Sequence, residues 1–298
     1  MSRYKGFLFV IISAVIFGAA PLFSMLLYED GADALNLALY RALFCLPLLF
    51  VVMLLETKKF TMPTMNEMIK ILIISLANLA TSILLMQSYK YISSGTATTI
   101  HFIYPVFVLV GCMVFFKEPV NKVKVICTVF CLLGVYMFYV PGDKNGVLGL
   151  IIAFISGITY AFYVVYLSKS GLQDMDSGKY LFFLNLITAI IMGVYLMFTK
   201  NLYFSLSGKG WFVACAFSIV FVTGLFAFQL GIRDIGPQRA SILSTFEPIT
   251  SVIIGGLIFN EAFTVKSAIG IVLILISVVL LTVFDRNGEG KSPKTQIN

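Results

Sequence analysis

Charge is what this sequence has least of: Asp, Glu, Lys and Arg make up 12% of its 298 residues, about half the share in a soluble domain. It has one histidine, His101, and one tryptophan, Trp211. A single imidazole with no acidic cluster leaves no ligand set for a metal, and no GxGxxG or P-loop stands ready for a nucleotide. No catalytic constellation, metal site or cofactor is expected, and no polar stretch is long enough to form an ATP-hydrolysing domain. Cys45, Cys112, Cys127, Cys131 and Cys215 are odd in number and lie in apolar runs, which excludes a disulfide framework. Cys127 and Cys131, one helical turn apart, read as small packing residues. The net charge of +7 is scattered singly and in pairs, so no basic surface for nucleic acid can be assembled.

What fills the sequence is hydrocarbon: 59% of residues are hydrophobic and the mean hydropathy is +0.98. A bilayer core needs about 20 apolar helical residues to cross it. Runs of that length lie near 6–27, 35–55, 69–89, 94–116 and 123–140, then near 147–168, 178–198, 211–231, 238–259 and 265–284. Short polar stretches such as Glu29-Asp30-Gly31, Lys117-Glu118-Pro119 and Pro141-Gly142-Asp143 separate them. The first run follows Arg3 and Lys5 but is too long for a cleaved signal, so it reads as a retained helix. The expectation is an all-α membrane protein of ten transmembrane helices with the lipid bilayer as its solvent.

Ten spans sort the loops into two sides. Of the 21 Lys and Arg, only Lys90, Lys144, Lys200, Lys209 and Lys266 fall on one side, Arg41 lies within a span, and the rest share the other. Basic loops favour the cytoplasm, which predicts a multi-pass protein of the cytoplasmic membrane with both termini inside.

Aligned on itself, the sequence repeats. One offset pairs Gly6 with Gly149, Ser13 with Ser156, Phe17 with Tyr160, Ala97 with Ala240, Pro105 with Pro248 and Glu118 with Glu261. Proline and glutamate are scarce here, so their joint register marks a duplication. Each copy holds an odd number of spans, so the second must be inverted relative to the first. The expected units are 1–141 and 142–285, two inverted five-helix repeats, followed by a polar cytoplasmic tail at 286–298. Such repeats bind cargo near the bilayer midplane, at the interface between the halves.

Phe102-Ile103-Tyr104-Pro105-Val106 leading to Phe116-Lys117-Glu118, and Phe246-Glu247-Pro248 leading to Phe259-Asn260-Glu261, resemble the two copies of the EamA domain of the drug/metabolite transporter superfamily. Arg41, early in the second span, is similar to an arginine of that family. The resemblance covers roughly 6–284. It implies a ten-helix carrier with a central cavity lined by the first four spans of each repeat and with spans five and ten at the periphery. It also implies export, and it names no substrate.

Glu247 is the most informative candidate. It lies roughly 13 Å into its span at helical rise, where an ionisable side chain must be paired, protonated or hydrated. As proton acceptor or counter-charge for an amine it outweighs a permanently protonated packing residue. Ala240, Ser244, Glu247 and Ser251 share one helix face, and the repeat places Ala97, His101, Tyr104 and Val108 on its counterpart. His101 is a second proton-coupling candidate, balanced against a satisfied packing role. Pro105 and Pro248 read as paired kinks with a gating role. Tyr160 and Tyr163, and more weakly Phe17, read as aromatic walls of a substrate site, with helix packing as the competing role. Asn78 and Gln87 could orient a polar cargo or bond between helices. For Arg41, snorkelling to the headgroups is favoured over anion binding. Glu118 and Glu261 stand at helix ends as caps or loop partners.

These features point to a secondary-active carrier exporting small organic metabolites, amino acids or related compounds among them, by alternating access. A broad exporter of toxic aromatic or cationic compounds is the alternative, with an intramembrane enzyme or a channel behind it. Expected partners are the small-molecule substrate and lipid; a homodimer is allowed for.

Overall fold

The computed structural model describes residues 3–88, 91, 97, 100–118, 122–137, 147–258 and 265–284. Pro119, the turn at 141–143, Phe259, Asn260, Glu261, the tail from 286 and the Ser251 side chain lie outside the described residues.

The described elements are helices, with no strand among them. In chain order they are α1 (Arg3–Gly18), α2 (Ala20–Glu29), α3 (Ala34–Phe44), α4 (Leu46–Thr57), α5 (Met65–Ser88), α6 (Tyr104–Phe116) and α7 (Lys122–Tyr136). The second half contributes α8 (Val147–Lys169), a 3-10 turn at Leu172–Asp174, α9 (Ser177–Phe198), α10 (Gly208–Ile235), α11 (Pro237–Leu243), α12 (Phe246–Ile258) and α13 (Val265–Phe284). Six stretches are long and apolar enough to cross a bilayer: Tyr4–Glu29, Ala34–Glu56, Met65–Ser88, Val147–Lys169, Ser177–Phe198 and Gly208–Ile235. Shorter apolar helices, among them Tyr104–Phe116, accompany them.

Helix ends follow local chemistry. Thr64 and Glu67 form a reciprocal capping box at the start of α5, with Thr64 N donating to Glu67 Oε2 at 2.8 Å and Glu67 N to Thr64 Oγ1 at 3.3 Å. Asp33 caps α3 by accepting from Asn36 N at 2.8 Å. Inside the apolar runs, breaks fall just ahead of proline. The turn at Ala19 precedes Pro21, and that at Cys45 precedes Pro47. The turns at Phe102-Ile103 and Ser244-Thr245 precede Pro105 and Pro248. Proline lacks the N–H that would continue the helix and collides with the preceding turn.

The outer surface is apolar: Leu55, Phe115, Phe198, Phe212 and Leu257 are all more than 70% exposed. A soluble protein would not offer water so continuous a greasy surface, whereas lipid chains solvate it. This is a multi-pass membrane protein. Association of such helices is driven by close packing, because lipid and leucine are equally apolar.

The packing is paired between halves. α1 packs on α10 as α8 packs on α5, α1 packs on α12 as α8 packs on α6, and α3 packs on α10 as α9 packs on α5. α7 and α13 pack mainly on each other, away from this crossing. Glycines permit the closest approaches. A methyl group at Gly18 would meet the Glu247 carbonyl oxygen at 2.6 Å, and one at Gly157 would meet the His101 carbonyl oxygen at 2.9 Å.

Polar clasps bind the halves at both ends of α9. At one end Asn36 Nδ2 donates to Asn201 O at 2.9 Å and Asn36 Oδ1 accepts from Tyr203 N at 2.9 Å. Tyr40 donates its hydroxyl to the Tyr203 carbonyl, and Asp30 Oδ2 accepts from Ser207 N at 2.8 Å. At the other end Glu56 Oε2 accepts from Gly178 N at 2.7 Å, and Lys70 Nζ donates to Ser170 O at 2.8 Å.

Overpacking a tight contact costs about 1–3 kcal/mol. Gly18→Ala and Gly157→Ala should each lower the apparent melting temperature in detergent. Gly208→Ala, where nothing lies within 4 Å, should change stability by less than about 0.5 kcal/mol. Equal melting of all three would refute the close-approach account.

Candidate functional site

The site grows from the two proline breaks. Pro105 cannot donate to the His101 carbonyl, nor Pro248 to that of Ser244. The Ser244 carbonyl instead accepts from Glu247 N at 2.9 Å in a tightened turn. These breaks set Tyr104 at the start of α6 and Glu247 in the first turn of α12. Tyr104 reaches across to donate to the Ser241 carbonyl at 3.3 Å, joining α6 to α11.

The Glu247 carboxylate makes no hydrogen bond among the described residues, and its side chain keeps part of its surface accessible. It lies close enough to Tyr104 and Tyr160 to act electrostatically on both hydroxyls. Tyr160 is the hub of the ring cluster. Its centroid lies 4.7 Å from Tyr104, edge-on, 5.7 Å from Tyr163, stacked, 5.4 Å from His101 and 6.3 Å from Phe228. Aromatic pairs in this range prefer such offset and edge-on geometry.

His101 is buried, with Nδ1 2.9 Å from Ser156 Oγ. The Ser156 hydroxyl donates to the Ala153 carbonyl at 2.6 Å, so it accepts from the imidazole N–H, which assigns the proton to Nδ1. In the neutral ring Nε2 is then the acceptor. Ser244 is also buried, and its hydroxyl donates back to the Ala240 carbonyl at 2.9 Å.

Glu247, Tyr104, Tyr160, His101 and Ser244 thus form one constellation. Tyr160 is partly accessible, but Tyr163 is 1% exposed, so Tyr163 backs the wall of the site. Phe17 leans on Phe221 at 5.0 Å and is partly accessible. Asn78 and Gln87 are half-buried on α5. Asn78 lies one turn from Ser82 and shares its face.

Arg41 corrects the expectation of snorkelling. Its guanidinium carbon sits 3.8 Å above the Phe221 ring, and Nη2 donates to Ser82 Oγ at 3.3 Å. An aromatic face and a hydroxyl inside the protein hold the cation there, in place of the headgroups. Phe221 and Phe228 on α10 escaped sequence reasoning. With Phe217 they fall on one helix face, a spacing that 28 phenylalanines hide.

A second polar cluster joins the halves at the end of the molecule where α8 closes. Glu118 ion-pairs with Lys169 and accepts from Gln238 Nε2 at 2.9 Å, while Lys124 Nζ donates to Gln238 Oε1 at 2.8 Å. Cys131 lies 3.2 Å from Thr245 Oγ1 and 3.0 Å from Ser277 Oγ, joining α7 to the turn between α11 and α12 and to α13. Among the described residues no His, Cys, Asp and Glu group could hold a metal.

A family model described as the EamA-like transporter family matches residues 4–140 and again 147–283. The uncharacterized inner membrane transporter YicL of Salmonella typhimurium is 22% identical over 96% of this chain and 97% of its own length. An uncharacterized transporter of Archaeoglobus fulgidus is 24% identical over 91% of this chain and 94% of its own. One from Synechocystis is 27% identical over 72% of this chain, and the match spans 65% of that protein. A crystal structure superposes with a TM-score of 0.77 at 15% identity, covering 94% of this chain and 98% of that one; this likeness concerns the fold alone.

The contrast between the two tyrosines is testable in a Cys215→Ser background, which removes the exposed cysteine and leaves Cys45, Cys112, Cys127 and Cys131 buried. A water-soluble thiol reagent should label Tyr160→Cys and spare Tyr163→Cys. The reverse pattern would contradict the site described above.

Proposed function

The chain belongs to the EamA-like transporter family, and on that footing we propose that it is a secondary carrier moving small organic metabolites out of the cell by alternating access. The proposed frame is ten spans in two inverted five-helix repeats, in the cytoplasmic membrane with both termini inside. The paired packing of α1 and α8 on the opposite halves supports it, since an exchange of equivalent contacts gives a rocking motion two comparable end states. The Glu118, Lys169, Gln238 and Lys124 cluster draws on both repeats and is the proposed cytoplasmic closure.

The observation that carries this reading is Glu247: an intramembrane carboxylate with no hydrogen-bond partner among the described residues, partly accessible and within electrostatic reach of Tyr104 and Tyr160. An intramembrane ionisable group so placed marks a substrate or proton path. We assign it the exchange of a proton for the cationic end of the cargo. His101, held by Ser156, fixes the rings around it and is the second candidate for the proton. Pro105 and Pro248 supply the bending points.

The test is counterflow in proteoliposomes loaded from a metabolite panel. Wild-type protein should exchange a subset, and a pH gradient should drive net movement. Glu247→Gln should remove the response to the gradient and slow exchange at least about tenfold, the effect of losing one charge-assisted contact. Normal gradient-driven transport by Glu247→Gln would refute the role of this residue.

A further inference from the structure

The carrier reading leaves Arg41 without a task, although it is a second charge placed inside the helices. Building on that reading, we propose that the cargo carries two opposite charges held apart, its anionic group bound by Arg41 and its ammonium by Glu247, with an apolar or aromatic segment between. Short peptides and ω-amino acids have this chemistry; a free α-amino acid, with both charges on one carbon, does not.

Both charges await a counter-ion. Arg41 has five N–H donors, yet among the described residues its only hydrogen bond is the long one to Ser82, and no carboxylate there lies within ion-pair distance of it. Asp33, the acid on its own segment, is engaged in capping α3 through Asn36. Glu247 likewise has no hydrogen-bonded partner among the described residues. Both residues keep accessible surface. A guanidinium stacked on one face keeps its edge free, and that edge is the part that matches a carboxylate bidentately.

The spacing sets the cargo's length. Arg41 sits on Phe221, whereas Tyr160, within electrostatic reach of Glu247, sits against Phe228. Those phenylalanines are two helical turns apart on α10, about 10 Å at helical rise. Phe17 lines the interval, 5.0 Å from Phe221 and against α10 at Gly224. Allowing about 2.8 Å for the contact at each end, the cargo's charged groups must stand several bonds apart, along an aromatic wall.

The probes are four compounds competing for counterflow of labelled alanyl-phenylalanine in proteoliposomes: the unlabelled dipeptide, its C-terminal amide, its N-acetyl derivative and free phenylalanine. With wild-type protein the dipeptide should compete at least about tenfold better than each of the others. Because these arms change the ligand, they do not depend on a variant folding. Arg41→Gln should abolish discrimination against the amide and keep that against the N-acetyl compound; Glu247→Gln should do the opposite. Arg41→Lys, which keeps charge but loses the planar fork, should discriminate at an intermediate level. Equal competition by the amide and the dipeptide, or discrimination unchanged in Arg41→Gln, overturns the two-charge proposal and leaves the carrier standing. Failure of the dipeptide to exchange also overturns it, and the carrier reading is then decided separately by the metabolite panel and Glu247→Gln.

Discussion

Hydrocarbon cannot hydrogen-bond, and this constraint shapes the rest of the structure. A continuous helix meets it without help; a helix broken ahead of proline exposes carbonyls that only protein or enclosed water can satisfy. The breaks before Pro105 and Pro248 therefore have to lie where another helix covers them. α8 crosses the first at Gly157 and α1 crosses the second at Gly18, each with no side chain to hold the backbones apart. The same crossing encloses Glu247, whose charge lipid would reject. Breaks, glycine contacts and the sheltered carboxylate thus answer one requirement.

Much of this was legible because the bilayer reduces the grammar of sequence to run length. Hydropathy marked the six long stretches, and the shared register of Pro105 with Pro248 marked the repeat. Run length says nothing of continuity, so the breaks at Ala19 and Cys45 went unread although Pro21 and Pro47 were their signal. Depth along a span was similarly blind to direction. It placed Arg41 near the outer end of its helix, but whether a long side chain bends outward or inward depends on what its neighbours offer, here the face of Phe221. Tyr160 and Tyr163 share a helix face by spacing; what separates them is that Tyr163 is covered, lying beside Tyr180 of α9, while Tyr160 is not. Contacts between helices decide such cases, and a linear pattern does not contain them.

The duplicated halves have kept their frame and changed their chemistry. Small residues recur at equivalent crossing positions, Ala14 with Gly157 and Gly18 with Ala161, and the prolines stay in register. The side chains at the breaks have diverged. On one side His101 and Ser156 satisfy each other, and Tyr104 bonds to the Ser241 carbonyl. At the mirrored seat Ser244 bonds back to its own helix, Ser13 is buried with no hydrogen-bond partner among the described residues, and Glu247 stands where Tyr104 stands opposite. Pro21 and Pro47 break spans of the first half alone.

That division has a physical reason. A carrier needs two end states within a few kcal/mol of each other, and equivalent contacts on both sides bring their energies together. Groups that set the helix crossings must consequently stay alike. Cargo imposes the contrary demand. A solute with distinct ends bound across a symmetric cavity would find the same two seats in either orientation and be held specifically in neither. One carboxylate and one guanidinium, each without a counterpart in the other repeat, remove that degeneracy while leaving the crossings untouched. On the carrier reading, the asymmetry that matters to cargo is that of side chains reaching the interior, and the symmetry that matters to motion is that of the helix crossings.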